Sequence, residues 1–168
     1  MKKGFLVLII TTILVKLYAQ EFYIDLSKHE FNHLANDLII DSIIDVRKDK
    51  NCIGYVYKGI QNKPTPAYLE KPLKLYLDKF LINNLEAKVN AEHLIIRINR
   101  LYIYEYIFYN MEIAFSEMNL SFIVKKGNNF FEKFQAGVFI ESRGSIDATN
   151  KHGKNIINAL DSCFKQYS

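Results

Sequence analysis

His29-Glu30-Phe31-Asn32-His33 matches the pattern His-Glu-x-x-His, in which two imidazoles four residues apart share a helix face and hold zinc while the glutamate acts as general base. Such a pair belongs on a long helix with a third ligand further along. Here it is flanked by Asp25 to Lys28 and Ala35 to Asp37, in a segment with a weak helical apolar face. It reads either as the metal site of a small zinc hydrolase, with His29 and His33 as ligands, or as an ordinary solvated helix turn. Asp45, Arg47 and Asp49 alternate at a strand end, where two carboxylates around a guanidinium suit acid–base work and equally suit a solvated terminus. Tyr102, Tyr104 and Tyr106, with Tyr109 beyond, set phenol rings in a row, either as a ladder for sugar, lipid or exposed peptide or as a face packed under a helix. There is no Gly-x-Ser-x-Gly elbow, phosphate loop or Cys-x-x-Cys pair, and no cofactor is implied.

The chain starts with an address. Lys2 and Lys3 precede the apolar runs Phe5 to Ile10 and Ile13 to Val15, and Leu17-Tyr18-Ala19 offers a small residue where a signal peptidase cuts. A bilayer span needs about 20 apolar residues, and Lys16 closes this run too early. We read residues 1–19 as a signal peptide, with an uncleaved anchor as the alternative, and residues 20–168 as a single domain without a transmembrane segment. No cysteine stands at the junction to accept lipid. The expected location is a periplasm or the cell exterior. There Cys52 and Cys163 either pair, which would stabilise by about 3 to 5 kcal/mol on a loop-entropy model, or remain small buried hydrophobes.

Charge points the same way. Of 22 basic residues, Lys2, Lys3 and Lys16 lie in the leader, leaving 19 against 18 acidic ones, so the remainder has no field to attract nucleic acid. The composition is that of a folded domain: 49% hydrophobic, with 11 Tyr and 12 Phe but no Trp, which suits an aromatic-filled, strand-rich core.

The elements that must position these residues follow from periodicity. Asp37 to Val46 reads as a buried strand, and Ile53 to Tyr57 as a second that pairs with it as a hairpin across the charged turn Arg47 to Asn51. Gly59, Asn62, Pro64 and Pro66 mark an exposed loop. Leu69, Leu73, Leu77, Phe80, Leu81 and Leu85 predict a helix over 71–85, with Pro72 in its first turn. Three long alternating strands follow: one over 93–107 with a change of phase near Asn99 and Arg100, one from Met111 to Val124 broken near Ser116 and Glu117, and one after Gly127-Asn128-Asn129. Asp147 to Asn150 cap a last helix carrying Ile156, Ile157, Leu160, Cys163, Phe164 and Tyr167 on one side. The expected fold is a two-layer α+β domain, an antiparallel sheet of four to five strands packed against two amphipathic helices.

Ile43-Ile44-Asp45-Val46-Arg47, then Ile53-Gly54-Tyr55-Val56, then a loop and a helix near Pro72 resemble the start of the YajG-like envelope lipoproteins. The later strands and the closing helix after Gly144 to His152 fit that order. The resemblance implies an α+β domain in the bacterial envelope without enzymatic activity, with Asp45, Arg47 and Gly54 as structural positions. The missing lipid-accepting cysteine departs from it. The combined expectation is an exported accessory or binding protein for an envelope protein or a small ligand. Zinc hydrolysis through His29, Glu30 and His33 is the alternative, and blocking of another exported protein through a strand edge is a third.

Overall fold

A computed structural model describes residues 21–31, 38–59, 61–82, 92–109, 111–144 and 147–168, so the leader and His33 lie outside the described residues. The strands are β1 (Phe22–Ile24), β2 (Leu38–Asp45), β3 (Cys52–Lys58), β4 (Lys63–Leu69), β5 (Glu92–Phe108), β6 (Met111–Lys126) and β7 (Asn129–Gly144). The helices are α1 (Leu73–Ile82) and α2 (His152–Tyr167), with 3-10 turns at Leu26–Lys28 and Thr149–Lys151. The α+β architecture is as expected. The sheet is larger, with seven strands among the described residues in the order β1-β4-β3-β5-β6-β7 and β2 beside β5.

It is also mixed rather than antiparallel. The β5–β6–β7 meander is antiparallel, but β2 runs parallel to β5, and β3 meets β5 in parallel at Gly54 and Ile103. The hairpin expected between β2 and β3 is therefore absent. The two lie end to end along one edge of β5, and the charged segment between them is a sideways jog. The stretch read as a loop holds β4, which pairs antiparallel with β3. Pro64 and Pro66 fit there because residues two apart send their amide positions the same way, and β1 pairs only with Ala67 to Leu69.

The change of phase at Asn99 and Arg100 is a register shift between Ile98 and Arg100, which keeps Leu94, Ile96, Ile98, Leu101 and Ile103 on the core face. The break expected at Ser116 is not one. Pairing runs through it, Ser116 is buried on the same face as Ala114 and Met118, and the bulge sits at Phe122/Ile123 against β7. The apparent break arises because the core side of β6 turns polar at that end. Helix α1 begins after Pro72, whose carbonyl accepts the Leu75 N–H at 2.9 Å. Leu69 belongs to β4.

Both helices join one core cluster with the inner face of the sheet. Phe31 links them, stacked on Phe80 of α1 at 5.8 Å and edge-on to Phe164 of α2 at 5.5 Å, while Phe164 also meets Phe122 of β6 edge-on at 5.3 Å.

Candidate binding face

Antiparallel register decides which rings meet on the outer face. Tyr104 lies opposite Phe115 and Phe115 opposite Glu141, while Tyr102 lies opposite Glu117 and Glu117 opposite Phe139. The rings of Tyr104 and Phe115 stack at 4.8 Å, Phe115 reaches Phe139 at 5.3 Å, and Tyr102 and Tyr104 lie 6.0 Å apart. Tyr106 stacks on Phe108 at 6.5 Å towards the β5–β6 turn. None of these six rings is in the buried core, and Phe139 and Tyr106 are 52% and 56% exposed. The tyrosines thus stand on one face as alternation requires, and that face has no helix over it among the described residues.

Below the rings the same face is polar. Arg100 lies over the Tyr102 ring at 5.2 Å and donates to Glu117 at 2.5 Å. Asn99 donates to Asn119 and Ser121, and Arg97 pairs with Glu132. Burial pushes the Tyr104 phenol up, aided by Glu117, so it stays a neutral hydroxyl. Where the jog leaves β5 uncovered, a groove of about 410 Å³ opens, lined among others by Arg47, Lys48, Tyr55, Asn99, Arg100 and Tyr102.

The jog itself absorbs the acidic pair. Arg47 is buried and donates to both carboxylate oxygens of Asp45, from Nη2 at 2.7 Å and Nε at 3.0 Å, and Nη2 also reaches the Lys50 carbonyl. Asp49 Oδ1 accepts from the backbone N–H of Asn51 and Cys52 at 3.0 Å. Those carboxylates build a turn and leave the acid–base reading without a free group. At Gly54, φ is +138° and an added Cβ would stand 1.8 Å from the Ile103 carbonyl oxygen, so this pairing of β3 with β5 admits glycine alone.

The zinc pattern loses its helix. His29 closes the first 3-10 turn in extended backbone (φ −120°, ψ 144°), and Glu30 and Phe31 are not helical either. Its ring packs against Gly153 of α2, where an added Cβ would meet Nε2 at 2.4 Å. Among the described residues no group of three metal-binding side chains forms. Cys52 and Cys163 are not joined. Cys52 borders the groove, while Cys163 lies in the core on α2 with its thiol pushed up to about 12 by burial.

One cluster escaped the sequence reading. Glu105 and His152 are fully buried and pair at 3.0 Å, and Glu105 also accepts the Tyr57 N–H. Glu112 accepts the Ala148 N–H at 2.7 Å, and Asn155 binds Ser142 and the Ala114 carbonyl. Desolvation pushes the Glu112 carboxyl up, and the neighbouring Glu105 adds to it. These groups pin the start of α2 to β5 and β6. Their signal in the sequence is faint: two glutamates at inward positions of otherwise apolar strands.

No model of a known protein family matches the chain, and no curated protein does. Several solved structures are distantly similar, two of them as follows. A Xanthomonas campestris protein of the DUF330 family aligns with TM-score 0.47 at 10% identity, over 86% of this chain and 91% of its own. A minor lipoprotein from Acinetobacter baumannii aligns with TM-score 0.40 at 8% identity, over 80% and 90% respectively.

Proposed function

We propose that this protein is exported and acts by contact in the bacterial envelope, as an accessory or binding module of the YajG-like kind. Its ligand or partner meets the outer sheet face at Tyr102, Tyr104, Tyr106, Phe115 and Phe139 and enters the groove beside Tyr102. The observation that carries this reading is the uncovered aromatic half of the sheet. Contiguous apolar surface left in water costs about 25 cal/mol per Å², and aromatic rings with polar groups at their rim are what a binding face presents. The rim here is Arg100, Glu117 and Glu141. Export is supported by the Lys2-Lys3 start, the short apolar run and the Ala19-Gln20 junction.

The test titrates the chain with envelope-type probes, namely peptidoglycan fragments and extended peptides, while following the NMR ring signals of its tyrosines and phenylalanines. Shifts confined to Tyr102, Tyr104, Tyr106, Phe115, Phe139 and the groove's Tyr55 are expected, with loss of binding in Y102A/Y104A without loss of the fold. Probes that shift only the helix side, or that are turned over by the protein, overturn it.

A further inference from the structure

The β6–β7 hairpin ends in an exposed turn at the end of the sheet where β5 begins at Glu92. The ladder between β5 and β6 ends at Leu94 and Val124, but β6 and β7 continue together through Lys125–Phe130 to Lys126–Asn129. All seven residues from Lys125 to Phe131 are exposed. The turn is tight, with Gly127 at φ +63°, which suits a two-residue hairpin with glycine first. Because side chains alternate, Lys125 and Phe130 lie on the outer face, with the ammonium 5.9 Å from the ring, while Phe131 lies opposite Val124 on the helix side. Phe130 and Phe131 are 58% and 49% exposed. Glu92 pairs with Lys133 and Glu132 with Arg97, Lys126 adds a weaker pull on Glu92, and neither Lys125 nor Lys126 forms a salt bridge among the described residues.

We propose that this arm is a membrane-contact element that inserts Phe130 and Phe131 at the interface of an anionic bilayer while Lys125 and Lys126 rest among the head groups. A protein-binding surface recognises with one face. This turn offers an exposed phenylalanine on each face beside two lysines and is held by a two-stranded ladder, which suits contact with lipid head groups. Its charge complements anionic lipid, and the two lysines together contribute roughly thirty-fold to partitioning at low salt. The site is separate from the aromatic face and does not depend on it.

The chain has no tryptophan, so F130W supplies a single reporter in the full-length protein. On vesicles of phosphatidylcholine with one-quarter phosphatidylglycerol its emission shifts to the blue and is quenched by brominated acyl chains, whereas a Y55W reporter beside the groove is not quenched. On phosphatidylcholine alone, or after K125Q/K126Q, the F130W response is lost or weakened about thirty-fold. If F130W stays unquenched while the protein co-sediments with vesicles, the leader and not the arm holds the membrane and the proposal fails. A blue shift that grows with protein concentration without vesicles assigns the arm to a second copy instead, which likewise overturns it.

Discussion

Gly54 shows how a single atom fixes a fold. Its positive φ and the 1.8 Å clash of any added Cβ with the Ile103 carbonyl mean that β3 can pair with β5 there only with hydrogen as the side chain. Gly54→Ala is expected to cost about 3 kcal/mol or more, read as a fall in the urea midpoint. The thiols differ in the same local way. Cys163, raised to about 12 and buried, should resist alkylation until denaturant is added, while the half-buried Cys52 reacts in the native protein. Burial holds the Glu112 carboxyl above the ordinary glutamate range, so its share of stability is present at pH below that range and is lost as pH rises through the raised value. Glu112→Gln should therefore raise the melting temperature at neutral pH and leave it unchanged below pH 4.5, which a pair of calorimetric scans would show.

At the scale of elements, the core depends on rings that join both helices to the sheet. Phe164 is edge-on to Phe31 and Phe122, and Phe164→Ala should cost about 3 to 5 kcal/mol, with an unchanged denaturant slope if folding stays two-state. Long alternating strands were legible because Leu94 to Ile107 and Phe134 to Ile140 repeat with period two, and α2 because its apolar residues fall on one stripe. Strand β1 has only three residues, too few to show a period, and β4 was hidden by its prolines, which are tolerated on the side facing away from β3. Partner choice was not legible at all. Nothing local in Leu38 to Asp45 says that it pairs parallel with a strand fifty residues on, because that choice is made by long-range packing.

For the whole molecule, the division is between a covered and an uncovered face. The tyrosine row was legible from its spacing, but Phe115 and Phe139 join it only through the register of β6 and β7, which a single strand does not encode. The zinc pattern misled because letters at helical spacing carry chemistry only on a helix, and His29 sits in extended backbone. The most direct test of a contact function places a benzophenone amino acid at Tyr104 and, as a control, at exposed Leu75 on α1, in the cell that makes the protein. One discrete cross-linked species is expected from position 104 in the envelope fraction and none from position 75. Cross-linking from position 75 alone, or a chain recovered from the cytosol with Met1 intact, would contradict it.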